Sequence, residues 1–241
     1  KDFTRQKRLH SSLAEVARIT REGNGKVAEV IARVRELEAE NKKDEAKEVK
    51  NSLPCYTPHS YIGKERRGED FTQHSGYIHF DIDGGEKGGL PNKGALRKAT
   101  QALQEWSHTS FLHISPKGRG LKVTLFAPFL REGSKVEQVA NHYTTHAVTK
   151  AKLEGWMSEI AGQEVRIDDA VVAPNAYCFV SHDPDAFFRT DEEAEPITRE
   201  LIEEWSGTPF VPDTDRAERW LAPSRMNGQA RKSRRQIGRA H

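Results

Sequence analysis

The chain has 241 residues, 35% hydrophobic and 31% charged, enough for one large domain or one domain with appendages. No apolar run approaches the roughly 18 residues of a membrane span, and no basic start, apolar stretch and small-residue cleavage site opens the chain. Two distant cysteines, Cys55 and Cys178, exclude a disulfide framework and a cysteine-rich zinc module. The expected setting is reducing and cytoplasmic, with no membrane partner. Because the chain opens on Lys1 rather than Met, a piece of a longer protein is expected. Basic and acidic residues, 38 against 36, nearly cancel. Yet Arg225, Arg231, Lys232, Arg234, Arg235 and Arg239 fall between Ala222 and His241 with no acid among them. A mildly acidic body with a basic tail suggests a metal-binding core and a mobile polyanion contact. A solvated linker to a following domain fits the same tail.

Residues 11 to 50 are predicted helical. Val27, Val30, Ile31, Val34 and Leu37 keep helical spacing, Ser11 and Ser12 are candidate caps, and Gly23-Asn24-Gly25 divides the segment. This region reads as a packing hairpin without chemistry. Prolines and aromatics enter from Leu53, so a boundary is expected near Ser52. Ser75 to Asp83 alternates as a half-buried strand, followed by a glycine-rich loop from Gly84 to Gly94. Leu96, Ala99, Leu103 and Trp106 then predict a helix. Strands are predicted at Phe111-Leu112-His113-Ile114 and from Leu121 to Phe126. Val136, Val139, Ala140, Tyr143, Ala147 and Trp156 mark a long helix. Val165-Arg166-Ile167 reads as an apolar strand running into Asp168-Asp169, Tyr177 to Val180 as a short strand, and Ile197 to Trp205 as a last helix. Mixed elements without strict alternation predict an α+β fold. The expected organisation is a helical region over 1–52, a core over 53–205 and a basic, flexible tail or linker over 206–241.

The chemistry-bearing residues begin with Asp81-Ile82-Asp83. Strand alternation places Tyr77, His79, Asp81 and Asp83 on one face and Ile78, Phe80 and Ile82 on the other. Two neighbouring carboxylates on a buried strand are costly unless a cation neutralises them. Hard divalent ions, completed by substrate phosphates, are the usual partners. A pair of solvated acids opening the turn Gly84-Gly85 is the bland alternative. The second candidate is Ser115-Pro116-Lys117-Gly118-Arg119-Gly120-Leu121-Lys122. Its glycines permit positive φ and close approach, and Lys117, Arg119 and Lys122 add charge, so it reads as a phosphate cradle or as an exposed basic turn. The third is Asp168, an acid closing an apolar run. Arg166 shares its predicted face and Asp169 takes the other. His182 lies in a possible turn with Asp183-Pro184.

An acidic pair on a strand, a glycine-bounded basic loop and a later single acid make a motif order that resembles the archaeo-eukaryotic primase superfamily. The closer resemblance is to the primase-polymerase-like domain of VirE N-terminal-type proteins of bacterial mobile elements and phages. It is carried by Lys50 to Pro58, Ser75 to Asp83, Ser115 to Lys122 and Phe179 to Pro184, within about residues 12–190. The resemblance implies an RRM-like primase-polymerase core and a DNA primase-polymerase that synthesises or extends primers. Asp81, Asp83 and Asp168 would hold two Mg²⁺ or Mn²⁺ ions, with Lys122 as a fourth catalytic residue. Ser115, Lys117, Gly118, Arg119, Gly120, Lys122, His79 and His182 would bind nucleotide. Lys122 stands where many superfamily members have histidine, and Asn175-Ala176 where look-alikes often have arginine. The implied partners are a single-stranded DNA template, nucleoside triphosphates and a helicase domain or subunit. The alternatives are a catalytically silent nucleic-acid-binding module and a metal-dependent nuclease.

Overall fold

The computed structural model describes residues 12–23, 25–63, 67–85 and 88–223. Ser12 caps α1 (Leu13–Glu22) by accepting from the Glu15 amide at 3.2 Å, and Gly23, at φ +67°, ends it. Then come α2 (Lys26–Ala39) and α3 (Lys43–Lys50). The predicted break therefore falls where a left-handed C-cap needs glycine. Ser11 lies outside the described residues.

Two short antiparallel ribbons follow, β1 (Cys55–Tyr56) with β7 (Cys178–Phe179), and β2 (Ser60–Ile62) with β3 (Phe71–His74). The main sheet is built from β4 (Tyr77–Ile82), β5 (Thr109–Ile114), β6 (Leu121–Phe126) and β8 (Phe187–Phe188). Its spatial order is β4-β6-β5-β8, antiparallel throughout. The helices α4 (Lys93–Glu105), α5 (Lys135–Ala161) and α6 (Arg199–Ser206) complete this layer. The fold is thus α+β, as the mixed pattern predicts. Among the described residues, no helix is long and apolar enough to cross a membrane.

Alternation along β4 sorts its side chains as expected. Ile78, Phe80 and Ile82 join Leu112, Leu121, Val123 and Leu125 in the main core, against Leu103 of α4 and Leu153 and Met157 of α5. The opposite face carries Phe111, and it is covered by Val16, Ala17 and Ile19 of α1, Val27 and Ile31 of α2, and Cys178 of β7. The N-terminal helices therefore close the second core.

Two expectations are corrected. Val165–Ile167 forms no strand. A single antiparallel bridge, Ile82 with Ile167, attaches it to β4, and the chain turns at once into a 3-10 helix, Asp169–Val171, which no ladder can continue. The tail does not begin at 206. Thr214–Leu221 forms α7, whose Ala217 is fully buried against α5 residues Val139, Ala140 and Tyr143. Trp220 meets Phe71 edge-on at 5.8 Å, and Arg216 lies 4.0 Å above the Tyr143 ring. Those apolar and cation–π contacts fix a segment that composition alone marks as polar. Arg225, Arg231, Lys232, Arg234, Arg235 and Arg239 lie outside the described residues.

Candidate active site

The register of β4 on β6 builds the centre of the site. Asp81 stands directly opposite Lys122, His79 opposite Thr124, and on the far side of β6 His113 opposite Lys122. Opposed side chains on one face of an antiparallel pair lie within reach of each other. Lys122 accordingly donates to Asp81 Oδ2, with side-chain exposures of only 7% and 18%. Burial opposes the Lys122 charge, but nearby Cys178, Asp81 and Asp83 outweigh it and raise its pKa. Asp81 Oδ1 is buried with no hydrogen-bond partner.

Asp83, one step past the strand, is exposed as a residue, but part of it lines the cleft among other side chains. Its carboxyl is pushed up by desolvation, then by repulsion from Asp81 and Asp168. Asp168 reaches the same place through the single bridge: its amide donates to the Asp81 carbonyl at 3.2 Å. Its own carboxylate caps the next turn, accepting from the Ala170 amide at 2.8 Å. All three acids, with Ser115, Lys117 and Lys122, line one cleft of about 480 Å³. Asn175, Tyr177, Phe179 and Lys50 line it as well.

The β5–β6 turn is built differently from a phosphate nest. The Gly118 amide donates to the Ser115 carbonyl at 2.8 Å, and the Gly120 amide to Ser115 Oγ at 3.2 Å. Both N–H groups are consumed inside the turn. Gly118 is needed for its φ of +76°, and Gly120 because a Cβ there would come within 2.4 Å of the Ile82 carbonyl. The side chains of the turn therefore carry its charge. Lys117 Nζ lies 3.4 Å from Glu38, and Arg119 lies 2.8 Å from the other oxygen of that carboxylate, which is 4% exposed. Arg119 points to α2 and does not line the cleft.

Two histidines leave the candidate set. His79 is fully buried, with Nδ1 2.9 Å from Thr124 Oγ1, and burial holds its pKa well below the usual imidazole value. His182 packs on the α1–α2 turn, where a Cβ on Gly23 would lie 2.7 Å from its ring. Tyr77 turns away from the cleft and bonds Asp191. Arg166 pairs with Glu164 rather than supporting Asp168.

Sequence reasoning also passed over two features. Lys50, the last residue of α3, lines the cleft. Its only signal was its place at the head of the Lys50–Pro58 run. The second feature is a buried histidine group behind the cleft wall. His59 Nε2 lies 2.9 Å from the Val171 carbonyl, His142 Nε2 lies 2.9 Å from the Val172 carbonyl, and His74 Nε2 lies 3.0 Å from His142 Nδ1. These contacts hold the segment that follows Asp168. Their spacing in sequence, 59, 74 and 142, gives no motif.

The family model described as BT4734-like, N-terminal domain, matches residues 48–188, more than half of the chain. The chain belongs to the BT4734-like family. The matched region of this BT4734-like chain contains Asp81, Asp83, Lys117, Lys122 and Asp168, and it begins two residues before Lys50. Glu38, which holds the basic turn, precedes it. No curated protein and no solved structure matches the chain. The family description names no activity, so the resemblance to primase-polymerases stands on the motifs alone.

The Lys122–Asp81 pair makes a direct prediction. Lys122→Ala should destabilise the fold by about 3 kcal/mol, because it strands a mostly buried carboxylate. Urea denaturation at neutral pH measures this, and an unchanged midpoint would show that Asp81 is solvated well enough to need no counter-ion.

Proposed function

We propose that the cleft is a nucleotidyl-transfer site and that the protein is a template-directed DNA primase-polymerase which synthesises or extends primers. The carrying observation is the convergence of Asp81, Asp83 and Asp168 with Lys117 and Lys122 on one cleft. The unit β4-α4-β5, with β6 lying between its two strands, gives further support, since it is the split βαβ arrangement; β7 pairs outside this sheet and β8 adds on the β5 edge. That arrangement is compatible with an RRM-like primase-polymerase core.

The donor set suits hard divalent cations. All three acids offer carboxylate oxygens, Asp81 Oδ1 lacks a partner, and the Asp83 pKa is raised by desolvation and then by its acidic neighbours. Among the described residues, no three acidic, histidine or cysteine side chains are already arranged to hold a metal ion. Asp81, Asp83 and Asp168 would hold Mg²⁺ or Mn²⁺, which supplies Lewis acidity and lowers the pKa of an attacking hydroxyl. The protein's own groups do the rest. Lys117 places positive charge beside a triphosphate, which matters most as charge builds on the leaving group. Lys122 orients the Asp81 carboxylate by donating to it. Tyr177 and Phe179 offer aromatic surface to a base. A single-stranded template and nucleoside triphosphates are the proposed partners, with a helicase domain or subunit as a further one.

One observation favours a second reading. Lys122 already neutralises the carboxylate that an ion would need, as a catalytically silent nucleic-acid-binding module would require. Incubation with labelled primer–template, Mn²⁺ and nucleotides separates the readings: extension supports the proposal, shortening identifies a nuclease, and a gel shift alone identifies the silent module.

The assignment of Asp168 has its own test. Asp169 is paired with Lys150, and Asp183 accepts from the Ile114 amide at 2.8 Å and the Asp185 amide at 3.2 Å. Mn²⁺ titration by calorimetry should therefore lose one ion, or most of the affinity, in Asp168→Asn but not in Asp169→Asn. Equal loss in both would place the third acid wrongly.

A further inference from the structure

The cations around the cleft are not equivalent. Lys122 is bound to Asp81, and Lys117 and Arg119 both face Glu38. Lys50 is different. It is half-buried, it lines the cleft, and among the described residues no carboxylate pairs with it. Its ammonium sits 5.2 Å from the centre of the Phe179 ring, which lines the same cleft. An aromatic face steadies a cation but leaves its N–H donors unmatched. Asp83, in the same cleft, is likewise without a side-chain partner among the described residues. The two opposite charges are thus held in one cavity without being paired.

Ammonium groups gathered in a partly desolvated cleft repel each other unless an anion lies among them. The effect is visible at Lys50: burial, then the charges of Lys117 and Lys122, lower its pKa. The Gly118 and Gly120 amides of the β5–β6 turn cannot serve an anion, since both donate within the turn. The charged donors that line the cleft for an anion are side chains, Lys50 and Lys117 among them.

We infer that Lys50, set by the C-terminus of α3, and Lys117 form an anion subsite for a linear polyphosphate in the cleft that the three carboxylates also line. The inference deepens the nucleotide reading, and rests on it for naming the ligand as the phosphate chain of a nucleoside triphosphate. In this arrangement the Lys50 end receives the outer phosphates, and the acids face the reacting one through bound cations. Lys50 thus gives α3, a helix read from sequence as packing alone, a part in ligand binding.

The probe is inorganic tripolyphosphate, titrated by calorimetry into the full chain without divalent metal. Losing one charge-assisted contact weakens binding roughly tenfold to hundredfold. Lys50→Ala and Lys50→Gln should both show that loss, Lys50→Arg should recover most of the affinity, and Lys98→Ala on the outer side of α4 should bind as wild type. The slope of log affinity against log salt should also fall in Lys50→Gln. Thermal unfolding of each variant identifies any that is misfolded, and the remaining variants then decide. Wild-type affinity in Lys50→Gln, equal weakening in Lys98→Ala, or no tripolyphosphate binding by the native chain would each overturn the subsite. Tripolyphosphate binding lost with Lys50, in a protein that never extends a primer, would instead keep the subsite and remove the polymerase reading.

Discussion

Asp83→Asn should abolish primer extension, by roughly a thousandfold or more, while the protein melts at or slightly above the native temperature. The size follows from removing a carboxylate that would bind a catalytic cation, an interaction counted in several kcal/mol of transition-state stabilisation. The absence of a folding penalty follows from its surroundings. Asp83 is exposed as a residue, and its neighbours Asp81 and Asp168 repel it, so neutralising it removes a strain. Asp81→Asn should abolish extension as well, but at a cost in stability, because Lys122 would lose the carboxylate it is buried against. The two variants thus separate catalysis from folding. Single-turnover extension and thermal unfolding measured side by side supply both readouts. Normal extension by Asp83→Asn would end the two-metal reading.

Lowering the pH from 7 to 5 should strip away a large part of the folding stability. His59 and His113 are fully buried, and desolvation holds the pKa of each at about 4, against an ordinary value of 6.5. Their native forms are neutral where the unfolded chain would take up protons. Stability is therefore complete above about pH 6.5 and declines as pH falls toward 4. At pH 5 each forfeits about 2 kcal/mol, and a whole domain has only about 5–15 kcal/mol. His74, His79, His142 and His146 are also lowered, with burial the largest cause, and add in the same direction. Asp83 alone opposes this trend, since its raised carboxyl gains protons in the folded state first. Urea midpoints across pH 5 to 7.5 measure the effect. His59 and His142 hold the Val171 and Val172 carbonyls, so loosening of the cleft wall should accompany the loss. A flat profile would mean that these imidazoles are already solvated.

Much of this was legible in the primary structure because it depends on local pattern. Period-two alternation from Tyr77 to Ile82 placed Ile78, Phe80 and Ile82 in the core. Helical spacing located α2, α4 and α5, and Gly23 marked the end of α1 where a left-handed residue was required. The α+β class agrees with that pattern, and Asp81, Asp83, Asp168 and Lys122, distant in the chain, line one cleft. Other features lay beyond it. Lys122 was read as a phosphate ligand, yet cross-strand register sets it against Asp81, 41 residues away in the chain. Arg119 was read into the cleft, but the buried carboxylate of Glu38 draws it to α2. His79 shares a face with Asp81, but Thr124 and the His59 ring lie against it there, so one residue is buried and the next reaches the cleft. Local sequence sets which way a side chain points relative to its own strand or helix, because φ, ψ and periodicity are local properties. What the side chain meets is set by elements distant in the chain, whose docking is a balance of burial and charge over the whole molecule.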